Sequence, residues 1–502
     1  MLFVWNGGLH GVFNSPDANA NYYFAERLYH GLPGTFALGS EPNQHEAYLA
    51  TRSTRVINHN VVPASFIGFI VLLGLLSRFV WFDGIIIGSL FFSAVGLFFW
   101  YRLLRELYTS RVAMWGLILL AIHPAWWYYT TNSLYPNVSF LAFLIIGAYY
   151  GVRAVRHSET AAYFLASVCI ALALFIRLSE ALWLLPLLIA VFFMHRRRIT
   201  TSGLLAGGGG AALVITLAIF AQFHFFAGSS IIGYNIVTDQ NATWLHSLLA
   251  LLLPFGIHPR LLLQTGWRYG ILIVWPFALL GIVGMLSQGK DMFRNRSTRF
   301  LAGATLFVAI ALLVYYGSWR LTDTPDPTAL SISMSYVRYF LPFYALLVVW
   351  AARFLGTTAG PMAKPVVRVL IIAVLFVFSY NVTMIAGDGG ILSQRTVLSH
   401  YDRFAGGVLQ HTEENAIIVT ARGDKYIWPH RDVITSFSDD AAVAAVGYYA
   451  AHRPLYYVAQ TATNDGLQSM NALWKGAGIA IGDRLFVDEE LSLYAITTTT
   501  VR

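Results

Sequence analysis

The chain has 502 residues, 57% of them hydrophobic and 12% charged, with one cysteine and a formal net charge of +8 from 33 Lys and Arg against 25 Asp and Glu. Charged residues make up about a quarter of an ordinary soluble domain, so this composition excludes one and describes a polytopic membrane protein. The basic residues sit in short loops between apolar runs, with no basic stripe, which excludes a nucleic-acid partner and reads as a topology signal in the lipid bilayer.

The opening MLFVWNGG is too short to span and lacks the basic start of a signal peptide. Either a preceding helix lies outside this sequence or the following loop is anchored in another way. Over residues 14–31, NSPDANANYYFAERLYHG places Asp17, Asn21, Tyr22 and Tyr23 ahead of the first long apolar run. Asp17 follows Pro16 and precedes a helix expected over about 18 to 30, so it suits an N-cap. The tyrosines suit interfacial anchors.

Residues 61–82 are long enough to span, but Arg78 and Asp83 lie near the end of the run. A full span would leave residues 1–60 cytoplasmic; an interfacial helix would leave them outside. Apolar runs near the roughly 20 residues that cross a bilayer core follow at 84–104, 112–129, 138–152, 160–176, 181–194, 203–227, 270–287, 300–317, 339–355 and 366–386. Basic groups recur after every second run: Arg102, Arg105 and Arg111; Arg153 and Arg156; HRRR from 195; Lys290 to Arg299; then Arg353, Lys364 and Arg368. Cytoplasmic loops have that pattern. It assigns the segments around 130–137, 177–180, 228–269, 318–338 and 387–502 to the outside, and the protein to the plasma membrane as a multi-pass chain.

Arg177 and Glu180 interrupt an apolar run at an outer turn, where a charge is expensive and is either paired or functional. Arg338 and Tyr339 open RYFLP at the outer end of a helix, suited to a phosphate or to snorkelling. PFGIHPRLLLQTGWRYG, 254–270, reads as an amphipathic helix lying on the membrane with His258, Arg260 and Arg268 on its polar side, an anchor or a phosphate or acceptor site. His59 is a candidate metal or phosphate ligand with no partner at helical spacing. AGGGGAA at 206–212 lacks the lysine and hydroxyl of a phosphate loop and reads as close packing or a kink. Sequons at Asn137, Asn241, Asn295 and Asn381 are of the kind that arise by chance. Cys169 lies within a helix, so the tail has no disulfide and no cysteine-based site.

From about 413 short β-rich runs alternate with helices: AIIVT at 416, DVITSF at 432, PLYYVAQ at 454 and LSLYAITTT at 491, with helices near 439–452 and 464–476. This predicts a small α/β domain, near the lower size limit for a single core. It shows no nucleophile–base pair and no metal spacing. Acceptor recognition or a lid is its expected role.

Several stretches in order resemble the GT-C integral membrane glycosyltransferases, above all the protein mannosyltransferase and aminoarabinose transferase branch. They are SPDANANYYFAERL, NHNVVPASFIGFIVLLGLL from 58, NSLYPNVSFLAFL from 132, LFIRLSEALWLLPLL from 175 and YVRYFLPFYALL from 336. Three departures stand out: His59 and Pro63 are separated by NVV where relatives often read His-Pro-Pro, Asp17 is followed by Ala18 rather than a second acid, and Asn137 replaces an aspartate common in relatives.

The resemblance implies a GT-C-like α-helical polytopic membrane protein with a small C-terminal extracytoplasmic α/β domain. It implies an outer active-site loop over 1–60, a transmembrane domain of about 10 to 11 helices over 61–386 and an extracytoplasmic domain over 387–502. A sugar would pass from a polyprenyl-phosphate donor to a protein, lipid or glycan acceptor hydroxyl at the cell envelope. Asp17 is implied as general base, with Asn21, Tyr22, His59, Asn137, Arg177, Glu180, His258, Arg260, Arg338 and Tyr339 binding substrates. The cofactor is left open, a divalent metal included. A transporter or flippase, and a glycan polymerase or ligase, are the alternatives.

Overall fold

In the computed structural model the described residues are 11–39, 41–80, 84–132, 134–226, 228, 252–321, 329–357, 365–461 and 464–498. Asp83 and Asn241 lie outside them. Seven helices among these are long and apolar enough to cross a membrane: Gly84–Leu107, Pro136–His157, Leu178–Arg198, Thr201–Phe225, Pro259–Ser287, Arg296–Tyr316 and Pro365–Ile385. Shorter apolar helices are Ile67–Phe79, Ser110–Ala121, Thr160–Ile176 and Leu341–Thr357. The chain is a multi-span α-helical membrane protein with a small strand-containing C-terminal portion, as the resemblance implied.

Two compact units are present, the first built from Ile87–Ala218 and Tyr234–Ser393, the second from Trp5–Ile86, Ile219–Gly233 and Gln394–Arg502.

The first unit holds most of the helices. The run expected over 112–129 is broken, with helix Ser110–Ala121 ending at Ile122 and Pro124 starting Pro124–Thr131, because the proline ring and its missing N–H interrupt the ladder. AGGGGAA lies inside helix Thr201–Phe225, where a Cβ on Gly210 would sit 2.7 Å from the Phe164 carbonyl. Close packing is therefore its role. The segment expected to lie on the membrane over 254–270 differs: Pro259–Thr265 continues through a π-helical turn, Gly266–Ile271, toward Trp275–Ser287. The apolar run LLLQTGWRYGILIV gives it the length to cross.

In the second unit the Asp17 helix, Pro16–Tyr29, starts on a proline and carries its acid in the first turn, where the helix dipole favours negative charge. It packs on helix Ile67–Val80: a Cβ on Gly74 would lie 2.8 Å from Leu28 Cβ and 3.2 Å from the Ala25 carbonyl. Helix Ile67–Val80 has 14 residues, about 21 Å at 1.5 Å per residue, short of a core of about 30 Å.

NHNVVP forms the turn and second strand of a hairpin. Strands Thr54–Ile57 and Asn60–Pro63 pair antiparallel, Ile57 opposite Asn60. Asn58 and His59 fill the two-residue turn with φ of 48° and 61°, the pattern of a tight hairpin turn.

The tail adds helix Ile391–Gln410 and a five-stranded sheet in the order Asp432–Ile434, Ile417–Thr420, Leu455–Gln460, Leu491–Thr498, Ile479–Asp488. Its first three strands are parallel and its last two antiparallel. Strand Ile479–Asp488 is an addition to the expected set, hidden in the sequence by Gly482, Asp483 and Arg484, where the register shifts.

Loop and tail share a core. Trp428 packs against Phe36 at 4.9 Å, Phe24 at 5.6 Å and Tyr23 at 6.0 Å between ring centroids. Residues 11–39 and the sheet are therefore parts of one folded body.

Candidate active site

In the second unit, Asp17 is 6% exposed and its Oδ1 accepts a 2.6 Å hydrogen bond from Ser53 Oγ. The helix N-cap position belongs to Ser15. Asn21 is buried on the same helix, and Tyr22 packs against Phe13 and Tyr23 with centroids 5.1 Å apart in each case. Tyr23 OH donates to the Gly11 carbonyl at 3.2 Å and stands 3.2 Å from His430 Nε2. Burial raises the Tyr23 hydroxyl well above the usual phenol range and lowers the His430 imidazole, so both are neutral at pH 7. His59 Nδ1 lies 2.9 Å from Glu46 Oε2, a partner invisible at helical spacing because the hairpin supplies it.

A set of tail residues surrounds this loop. Asp424 takes Arg52, Lys425 reaches Asn14, Thr435 Oγ1 donates to the Ala50 carbonyl at 3.2 Å and Tyr449 OH donates to Asn43 Oδ1 at 3.2 Å. Asp424 and Lys425, with His430, are open in the sequence to an acceptor-binding or a solvated surface role; in the structure Asp424 is buried and both contact the loop.

In the first unit, Arg177 and Glu180 are 3% and 2% exposed. Arg177 Nε and Nη2 donate to Glu180 Oε1 at 3.0 and 2.7 Å, and Nη2 also reaches Tyr316 OH at 3.1 Å. Trp183 Nε1 donates to Glu180 Oε2. Chain geometry explains the pairing: helix Thr160–Ile176 ends at Arg177, and a 3-10 turn, Leu178–Glu180, turns both charges inward.

Tyr339 stacks on Tyr316 at 4.1 Å, and the Arg177 guanidinium lies 5.4 Å from its ring centre. The Arg338 guanidinium lies 4.5 Å from the Tyr135 ring centre and 5.3 Å from that of Tyr339, within cation–π range. Asn137 Nδ2 donates to the Arg338 carbonyl at 3.1 Å, while its buried Oδ1 has no hydrogen-bond partner among the described residues.

Five candidates thus converge: Asn137, Arg177, Glu180, Arg338 and Tyr339. His258 and Arg260 are exposed at the start of helix Pro259–Thr265, the His258 N–H donating to Ser318 Oγ at 3.0 Å. Among the described residues the grouping of metal-ligand type is His400, Asp488 and Glu489, and Arg403 already lies 2.8 Å from Glu489 and 3.6 Å from Asp488.

Residues 58–221 match the sequence model of the family described as dolichyl-phosphate-mannose-protein mannosyltransferase. The matched stretch runs from the loop hairpin through the helices up to Ala221, about a third of the chain. The chain is also similar to the crystal structure of ArnT from Cupriavidus metallidurans bound to undecaprenyl phosphate, at 10% identity and a TM-score of 0.48 over 95% of this chain and 97% of that one. The same protein in the apo state aligns with the same values. Among curated proteins no sequence matches.

Proposed function

We propose that the protein is a glycosyltransferase that moves a sugar from a polyprenyl-phosphate donor to an acceptor hydroxyl on the outer face of the membrane. The donor class follows from the matched family, whose description names dolichyl-phosphate-mannose. The observation that carries the reading is the Asp17 carboxylate, buried in the first turn of its helix and oriented by the Ser53 hydroxyl.

In this reaction the acceptor oxygen bonds to the anomeric carbon, with inversion, as the bond from that carbon to the phosphate oxygen breaks. Asp17 takes the acceptor proton, and the leaving polyprenyl phosphate keeps the electron pair. A positioned general base contributes about 10² to 10⁴ in rate. Arg177 and Arg338 are the cations assigned to the phosphate. Both are buried cations beside Tyr339, and Arg177 is also paired with Glu180.

His258 and Arg260 are assigned a peripheral part in substrate approach, and His59, with Glu46, the side of the loop hairpin. The C-terminal portion is assigned to the extracytoplasmic side with the loop that it packs on.

The test is release of polyprenyl phosphate from radiolabelled polyprenyl-phosphate mannose by the purified protein with candidate acceptors. Turnover lost in Asp17→Asn, with unchanged melting, supports the reading. Movement of the lipid across vesicles without sugar release contradicts it.

A further inference from the structure

Asp424 lies in the tail, in the short helix Asp424–Ile427, and is fully buried. A buried carboxylate is costly unless it is paired and hydrogen-bonded. Arg52, in the loop, supplies that pairing. Asp424 Oδ2 accepts the Arg52 backbone N–H at 3.0 Å and its Nε at 3.1 Å, while Oδ1 accepts Nε at 3.2 Å and Nη2 at 2.7 Å.

The backbone amide is the informative contact, because the next residue is Ser53, whose hydroxyl holds Asp17. The turn around it is closed by threonines: Thr51 Oγ1 accepts the Ser53 N–H at 3.2 Å and donates to Thr54 Oγ1 at 3.0 Å. Neighbours of Asp424 grip the Asp17 segment directly. Lys425 Nζ donates to Asn14 Oδ1 at 3.1 Å, and Asn19 Nδ2 donates to the carbonyls of Lys425 and Trp428 at 3.2 and 3.0 Å. The tail therefore holds the chain three residues before Asp17, two residues after it, and one residue before its hydrogen-bond donor.

We propose that Asp424 is a positioning residue for Asp17: by fixing the backbone at Arg52 it aims the Ser53 hydroxyl, which holds the Asp17 carboxylate in one orientation. This rests on the reading of Asp17 as the base. A misplacement of about 1 Å at a reacting group can lower a rate about 10²-fold, so the clamp has kinetic weight beyond holding two segments together.

The experiment uses the full-length purified protein and the polyprenyl-phosphate sugar assay, with kcat and donor KM measured for Asp424→Asn, Arg52→Met, Ser53→Ala and the pair Asp424→Asn with Ser53→Ala. The proposal predicts that Asp424→Asn lowers kcat about 10- to 100-fold with the donor KM within about twofold. The double variant is then no slower than the slower single, since both act through one hydrogen bond. Full kcat per folded molecule in Asp424→Asn, or losses that multiply, overturns the proposal.

If Asp424→Asn aggregates, the pair Asp424→Leu with Arg52→Met decides, because it leaves no buried charge unpaired and removes the acceptor of the Arg52 backbone N–H. A lowered kcat there supports the proposal and a full kcat overturns it. Asp17→Asn measured alongside separates the two ideas. Transfer retained in Asp17→Asn removes the base itself; transfer lost there with full kcat in Asp424→Asn, or in Asp424→Leu with Arg52→Met, removes only the positioning role.

Discussion

The Arg177–Glu180 cluster and the Asp17 loop handle buried charge in different ways. In the first, a cation and an anion three residues apart satisfy one another, with Tyr316 and Trp183 completing the shell. In the second, the carboxylate of Asp17 accepts the Ser53 hydroxyl, and an ion pair stands one residue before that donor, at Arg52 and Asp424. The difference teaches where reactivity is retained. Glu180, locked by a guanidinium, is committed to structure, whereas Asp17, oriented by the Ser53 hydroxyl, is the group proposed to accept a proton.

Substituting Asp17 breaks this comparison most severely. Asp17→Asn keeps the shape and the hydrogen bond to Ser53 but removes the proton acceptor, so turnover falls about 10² to 10⁴ or more while the melting temperature in detergent stays put. A variant that melts early and loses activity in proportion would make Asp17 a structural residue like Glu180.

Glu180→Ala has the opposite signature. It leaves the Arg177 guanidinium buried without its carboxylate, at about 3–5 kcal/mol, and thermal unfolding should show a drop in Tm. Replacing both charges, Arg177→Met with Glu180→Leu, should recover most of that stability, yet transfer stays low if Arg177 contributes to phosphate binding. Wild-type Tm in Glu180→Ala would contradict the buried pairing.

Gly74→Ala probes the seating of the Asp17 helix. Its new Cβ meets Leu28 Cβ at 2.8 Å, and overpacking of this kind costs about 1–3 kcal/mol. Limited proteolysis of the loop should accelerate; unchanged resistance would mean that the two helices part easily.

A pH dependence is expected at Lys425. Burial, then the Arg52 charge, lower its amine to about 7, against the pull of Asp424. The unfolded lysine titrates near 10.4. Between these values the unfolded chain binds a proton that the folded chain does not, so this residue's contribution to stability rises with pH across that window and is least below pH 7. Measured against Lys425→Met, the wild-type Tm should gain as pH goes from 7 to about 9.5. A constant difference would show that the amine is solvated.

How much of this was legible follows the range of the contacts. Arg177 and Glu180 could be read as a pair because their spacing is local and the apolar run around them makes the charges conspicuous. Asp17 was visible from its place between Pro16 and a helix. Its partners were not: Ser53 is 36 residues away, and Asp424 lies 372 residues from Arg52. Short local windows carry no trace of such pairing. The hairpin that turns at Asn58 and His59 was hidden for a different reason, since VVP leads directly into an apolar helix and its period is lost in that run. Likewise, Arg484 and its neighbours mask strand Ile479–Asp488 as a loop.

Sidedness tests the central claim most directly, that the Asp17 loop and the tail form one body on the outer face. In a Cys169→Ser background, which removes the single native thiol, cysteines are placed at exposed Glu41 and Ser438 and intact cells are treated with a thiol reagent that cannot cross the membrane. The account predicts that both label without lysis. Labelling at Ser438→Cys with Glu41→Cys dark until lysis would put the loop and the tail on opposite sides, and would contradict both the shared core and the mechanism built on Asp17.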